Sequence, residues 1–203
     1  MEFVIIGAAA ILVVFLIAKL SQKKKLDLSA LPPVFVVLDL ETTGLDPDKH
    51  EIIEVGAIRV NRDSENHATF EALVTPKAKI QKKITELTGI TQAMVDADGN
   101  ELGETLRELM KFIGDYPLVA FNAKFDMAFL RNAAMTHNLE INNRVSCALE
   151  MARRAWPGRE SYKQADLAKD GNLSTENTHR ALGDCRRTVI IYSAAANILK
   201  CAS

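Results

Sequence analysis

Three cysteines in 203 residues, Cys147, Cys185 and Cys201, form neither a CxxC pair nor an even framework. That scarcity excludes a disulfide scaffold and a structural zinc site. Neither sign of charge prevails: 25 Lys and Arg face 26 Asp and Glu, a formal net charge of −1, with a pI of about 6.4. A basic coat that holds nucleic acid through its general field is therefore excluded. There is no internal repeat and no low-complexity tract. A composition that is 48% hydrophobic and 25% charged excludes wholesale disorder, and the length suits one domain with a real core.

Long apolar runs are also missing, with one exception. Phe3–Ala18 (FVIIGAAAILVVFLIA) has no polar side chain. As a helix its sixteen residues span ~24 Å against a bilayer core of ~30 Å, and the flanking Met1, Lys19 stem and Leu20 narrow that gap. A signal peptide would carry basic residues ahead of the run, yet Glu2 stands there and Lys19, Lys23, Lys24 and Lys25 follow it. A core helix would show a polar face. The reading is a membrane anchor over residues 1–20, with membrane contact through residues 3–20, followed by a basic tether over 21–33 that ends in Pro32-Pro33. The catalytic part then lies on the cytoplasmic side of a single-pass protein. Without residues 1–25 the balance is 21 basic against 25 acidic side chains, a net charge of −4.

The domain proper is expected over 34–203. Val34–Leu40 is a nearly continuous β-branched run, suited to a strand buried on both faces. Ile52–Val60 and Ala68–Val74 read as further strands, antiparallel because their links are short. Leu102, Leu106, Leu109, Met110 and Ile113 recur at helical spacing, so a helix is expected over about 101–114. Leu118–Phe121 reads as a fourth strand and 126–138 as a helix. Residues 144–154 are ambiguous, 164–169 read as a short helix, and the last helix begins after His179. The order implies an α/β layer fold with a mixed β-sheet flanked by helices.

Three acidic signals punctuate this frame. Asp39 and Glu41 end the first strand, and their i, i+2 spacing puts both carboxylates on one side of it. Two acids one pleat apart repel, which is relieved by a hard cation such as Mg²⁺ or by solvation at the start of a turn. Asp126 falls in the first turn of a helix, where it could serve as a ligand or simply complement the helix dipole. His179 and Asp184 share a face only if the histidine lies on the loop before the helix, since five residues on one helix differ by ~140° in azimuth. His50, His67 and His137 have no such acidic surroundings and read as surface residues.

Taken in order, Asp39-x-Glu41, Asn122-x3-Asp126 and His179-x4-Asp184 resemble the DEDDh family of 3′–5′ exonucleases, which includes the proofreading subunit and domains of bacterial replicative DNA polymerases. The local words are similar too: LDLETTGL over 38–45, IIEVGA over 52–57, LTGIT over 87–91, and SYK and ADLA over 161–168. Gln164 and Gly183 depart from the residues expected there, Leu and Asp. The resemblance spans about residues 34–199.

It implies a ribonuclease-H-like fold and hydrolysis of phosphodiesters at a free 3′ end, releasing nucleoside 5′-monophosphates. Asp39, Glu41, Asp126 and Asp184 would hold two Mg²⁺ ions, with Mn²⁺ able to substitute, ~3.5–4 Å apart. His179 would be the general base, a role imidazole suits because it titrates near neutrality. Two such ions would offset the net −4. Thr42, Gly44, Leu45, Ile90 and Asn122 would meet the terminal nucleotides, Leu45 and Ile90 as wedges against the last bases. Arg153, Arg154, Arg159 and Lys163 could guide the strand, whereas Lys77, Lys79, Lys82 and Lys83 read as a solvated face. The expected partner is a single-stranded or frayed 3′ end of DNA, with RNA open as the alternative. A polymerase partner is not expected, because the sequence stops at Ser203, just past the last helix.

Overall fold

The computed structural model describes residues 28–64, 66–171 and 179–201. Five strands form one mixed sheet in the order β3-β2-β1-β4-β5. β1 (Val34–Thr42), β2 (Ile52–Asn61) and β3 (Ala68–Leu73) pair antiparallel, whereas β4 (Leu118–Ala120) and β5 (Val145–Cys147) run parallel to β1. Helices α1 (Lys82–Thr88), α2 (Gln92–Asp98) and α3 (Leu102–Ile113) separate β3 from β4. α4 (Ala123–Thr136) joins β4 to β5, and α5 (Ala148–Ala155), α6 (Gln164–Asp170) and α7 (Ala181–Cys201) follow. The mixed, helix-flanked sheet is the expected architecture.

The pleat of β1 sorts the core into two layers. Val36, Leu38 and Leu40 point into a cluster with Leu106 and Leu109 of α3 and Leu130 of α4. Phe35 and Val37 point the other way, against Ala148 of α5 and Cys185, Tyr192 and Ala196 of α7. A strand with apolar side chains on both faces needs cover on both, which is why its sequence is a continuous run rather than an alternation. The alternation carries on into the chemistry. Asp39 and Glu41 occupy the odd positions and therefore share the α7 face with Phe35 and Val37.

α7 lies very close to the sheet. Its inner face is built of small residues, Ala181, Cys185, Thr188, Ala195 and Ala196, all buried. The Cys185 thiol donates to the Gly56 carbonyl at 3.3 Å. A Cβ at Gly56 would stand 2.6 Å from the backbone of Ala181 and Leu182, so only glycine lets the start of α7 seat on β2. Cys147, Cys185 and Cys201 are all free thiols.

Several expectations need adjustment. β1 extends to Thr42, so Asp39 and Glu41 sit within the ladder opposite Gly56 and Glu54 rather than at its end. The ambiguous stretch 144–154 divides into β5 and α5, and α4 starts three residues earlier than its periodicity predicts. Two short helices, α1 and α2, stand where no helix was expected. Leu31, within the expected tether, is buried among the α7-side core residues.

The single-pass membrane placement is corrected. Among the described residues no helix is long and apolar enough to cross a membrane. The longest, α7, carries Asp184, Arg186, Arg187 and Lys200 and spends its apolar side on the sheet. Residues 1–20, which carried the anchor expectation, lie outside the described residues, as do 21–27 of the tether.

Candidate active site

A cleft of about 1160 Å³ opens beside the C-terminal end of β1. Asp39, Glu41, Asp126, His179 and Asp184 all line it, as do Thr42, Gly44, Leu45 and Asn122. Three separate parts of the chain bring them together. β1 supplies the first two acids, the β4–α4 junction supplies Asn122 and Asp126, and the entry to α7 supplies His179 and Asp184.

Each acid is held differently. Asp126 is buried in the first turn of α4, and its carboxylate accepts from the backbone N–H of Leu40, which ties the helix to β1. Asp184 accepts from the His179 N–H at 2.9 Å on Oδ2 and from Arg187 at 2.6 and 3.1 Å on Oδ1. Arg187 is itself buried, at 5% exposure, one helical turn along the same face. Glu41 is buried, and Asp39, which also lines the cleft, is half-buried. Among the described residues, ligand-type atoms of Glu41, His179 and Asp184 lie within 4.8 Å of one another.

Burial in a poorly solvated cleft, with other acids close by, raises the proton affinity of Asp39, Glu41 and Asp126. Burial pushes the Glu41 carboxyl up to about 8, with Asp184, Glu54 and Asp126 adding to it and Arg180 opposing. Burial likewise lifts Asp126 to about 7, against the backbone hydrogen bonds it accepts. Asp39 is raised well above the ordinary carboxylate range by burial and by Asp126, Asp184 and Glu41. Carboxylate oxygens are the donors hard divalent cations take, and such a cation relieves this repulsion, so the donor set fits one.

A pH dependence follows. These acids bind more protons folded than unfolded between about pH 4 and pH 8, so the metal-free protein should lose stability as pH rises through that window. Saturating Mg²⁺ or Mn²⁺ should displace the protons. The rise in Tm on adding the cation should therefore be larger at pH 8 than at pH 6. Thermal unfolding in EDTA and in Mg²⁺ across pH 5–9 checks this, and a cation effect that shrinks with rising pH would contradict it.

One expected substrate contact is not at the cleft. Ile90 is fully buried with Ile53, Ile84 and Val95, and its side chain cannot reach a base. Leu87, one turn from Ile84 on α1, lines the cleft instead and is 53% exposed; Leu45 stands out at 84%. The helix ends at Thr88, so its last turn carries Leu87 to the cleft, while Ile90, past the helix end, packs into the core. The loop after β1 is closed by Thr42 Oγ1 donating to the Gly44 carbonyl at 2.6 Å and by the Glu51 N–H donating to Thr43 Oγ1 at 2.9 Å. His50, expected at the surface, lines the cleft, its Nδ1 3.3 Å from Thr43 Oγ1. A Cβ at Gly44 would meet that ring at 2.5 Å. His137 is likewise half-buried, its Nδ1 2.9 Å from the Ala133 carbonyl oxygen.

Of the basic residues, Lys83, Arg153 and Lys163 line the cleft, so Lys83 belongs to it rather than to a solvated face. Arg159 is engaged with Asp170. Gln164, the departure noted in the sequence, has a defined place: its amide donates to Thr188 Oγ1 at 2.8 Å and to the Asp184 carbonyl at 3.1 Å. It thereby pins α6 to the turn of α7 that carries Asp184. Glu54, which falls in the word IIEVGA but was given no role there, is fully buried beside Arg180. An acid inside the otherwise apolar run IIEVGAI was the available signal, since a buried carboxylate needs partners.

An acid-lined cleft with a histidine, at the edge of a helix-flanked mixed sheet, defines a class of hydrolases that work through divalent cations. The chain belongs to the exonuclease family: the model of that family (RNase_T, exonuclease) matches residues 36–192. It is 34% identical to the DNA polymerase III subunit epsilon of Aquifex aeolicus over 159 residues, 78% of each chain. It is 39% identical to the PolC-type DNA polymerase III of Clostridium perfringens over 166 residues, 82% of this chain. The match spans only 11% of that much longer protein. Among solved structures, exonuclease X in complex with 5′-overhanging duplex DNA superposes with a TM-score of 0.63 at 28% identity, over 80% of this chain and 91% of that one. E. coli exonuclease I in complex with an oligonucleotide shares the fold, with a TM-score of 0.68 at 19% identity, over 80% of this chain and 41% of that one.

Proposed function

We infer that the cleft removes nucleotides from the 3′ end of DNA by metal-dependent phosphodiester hydrolysis, on single-stranded or frayed ends. The observation that carries this reading is the convergence of Asp39, Glu41, Asp126, Asp184 and His179 on one cleft, where burial, with repulsion from neighbouring acids, lifts the carboxyls of Glu41 and Asp126 to about 8 and about 7. The relatives are named for DNA polymerases, and the solved structures of exonucleases I and X contain an oligonucleotide and duplex DNA. Those names support DNA over RNA as the substrate. The catalytic unit is residues 34–203, on a ribonuclease-H-like sheet.

Asp39, Glu41, Asp126 and Asp184 would hold two Mg²⁺ ions, which Mn²⁺ can replace. When bound, such ions activate water and stabilise charge on the scissile phosphate. The protein's own part is distinct. His179 takes a proton from the attacking water at an imidazole nitrogen. Water oxygen bonds to phosphorus, the bond to the preceding 3′ oxygen breaks, and that oxygen leaves with a proton as a new 3′-OH. The product is a nucleoside 5′-monophosphate. Leu45 and Leu87 present apolar surface to the terminal bases, Gly44 and Asn122 flank the last nucleotide, and Lys83, Arg153 and Lys163 meet the strand's phosphates.

The test is digestion of 5′-labelled single- and double-stranded DNA and RNA with Mg²⁺, Mn²⁺ or EDTA. A ladder shortening from the 3′ end of DNA in either cation and none in EDTA is expected. Metal-independent cleavage, or cleavage in the middle of the strand, would overturn the mechanism. RNA cut faster than DNA would overturn the substrate.

A further inference from the structure

We propose that Glu54 and Arg180 form a positioning pair that sets His179 against the carboxylates of the cleft, an inference that rests on the nucleolytic reading above. Glu54 stands directly opposite Glu41 across the β1–β2 ladder and is fully buried, yet it is not among the residues that line the cleft. Both of its carboxylate oxygens are engaged. Oε1 accepts from Arg180 Nη2 at 2.6 Å and Nε at 3.0 Å, while Oε2 accepts from Arg180 Nε at 3.3 Å and from the Ala181 backbone N–H at 2.8 Å. The carboxylate therefore fastens the guanidinium and, through Oε2, caps the first residue of α7. Glu71 of β3 stands 3.8 Å from Arg180 on the outer side and adds to the hold.

The residue just ahead of this anchor is His179. Its side chain is exposed, so core packing does not orient it. Its backbone does. His179 has φ +60, a left-handed conformation that a residue with a Cβ keeps only where its surroundings impose it. Two contacts impose it here. The His179 N–H donates to Asp184 Oδ2 at 2.9 Å, and the next two residues are held by Glu54. The imidazole is thus aimed by a strand residue on one side and an acid of the cleft on the other. A general base must lie within hydrogen-bond reach of its water, and small misplacement lowers the rate without weakening binding.

Glu54→Gln keeps the size and an acceptor for Ala181 but loses the charge that fastens Arg180. Arg180→Lys keeps a charge but loses the fork. With saturating Mn²⁺ and a 5′-labelled single-stranded oligonucleotide, each variant of the full chain should lower kcat about 10- to 100-fold, the range for groups that orient catalytic ligands. KM for DNA and the Mn²⁺ concentration at half-maximal rate should stay within about threefold of wild type. The decisive readout is a double-mutant cycle: in a His179→Ala background, Glu54→Gln should cause less than about a twofold further loss. If its effect multiplies undiminished in that background, or if both single variants keep wild-type kcat while His179→Ala is inactive, the pair does not act through His179. Full activity of His179→Ala would instead bring down the reading of the cleft, and the pair with it. Should Glu54→Gln fail to fold by circular dichroism, Arg180→Lys carries the same cycle, because its guanidinium is partly exposed.

Discussion

Replacement of Asp39 by asparagine is expected to lower exonuclease activity by roughly 10³-fold or more while raising the stability of the metal-free protein. The loss corresponds to about 4 kcal/mol of transition-state stabilisation, the size of effect expected when a principal ligand of a catalytic cation is neutralised. Asp39 lines the cleft, where burial disfavours its charge and Asp126, Asp184 and Glu41 all repel it. Neutralising it removes that repulsion. Thermal unfolding in EDTA at pH 8 should therefore show a higher Tm for Asp39→Asn than for wild type, while added Mn²⁺ should raise its Tm less. A misfolded variant would show the opposite sign, so activity and stability together separate a lost ligand from a lost fold. Activity within tenfold of wild type would remove Asp39 from the chemistry.

Replacement of His179 by alanine is expected to lower kcat by about 10²- to 10⁴-fold, the range for loss of a positioned general base. The ring is close enough to Glu41 and Asp184 that two roles compete: atoms of all three lie within 4.8 Å of one another. As a base, His179 can be removed with little change in cation affinity. As a ligand, its removal should weaken Mn²⁺ binding by a large factor. Calorimetric titration of Mn²⁺ into wild type and His179→Ala distinguishes them, and unchanged affinity with a collapsed kcat is the expected result. The two variants also test each other. Asp39→Asn should fail chiefly in cation binding, and His179→Ala chiefly in turnover.

Much of the fold could be read from side-chain pattern because the pattern is itself a record of burial. The unbroken apolar run of β1 predicts cover on both faces, and the structure supplies it with α3 and α4 on one side and α5 and α7 on the other. The 3–4 spacing of Leu102, Leu106, Leu109 and Ile113 places α3 within a residue at each end. Helix geometry allows His179 and Asp184 one site only if the histidine precedes the helix, and the structure has it there, with Asp184 in the first turn of α7. Short elements left no such record. α1 and α2 have seven residues each, too few for a periodicity to stand out, and Ile90 between them was assigned to the cleft when it belongs to the core. The membrane placement failed for a different reason, since it rested on residues 1–20 alone and no helix among the described residues has the length and apolarity to cross a membrane.

The residues proposed to carry the chemistry could be picked out in the sequence, where the resemblance to the DEDDh family joined two acids one pleat apart, an acid in the opening turn of a helix, and a histidine five residues before another acid. Those types and spacings are local, and local geometry decides which side of a strand or helix they occupy. Tertiary structure decided everything that depends on two distant segments meeting. Glu54 became a clamp rather than a misplaced charge because β2 lies under the start of α7. Gln164 became a brace because α6 reaches α7, and His50 became part of the cleft wall because the loop after β1 folds back through Thr43. A buried carboxylate is tolerable only when donors reach it, and donors 126 and 127 residues away in the chain can be supplied by the packed fold and by nothing shorter.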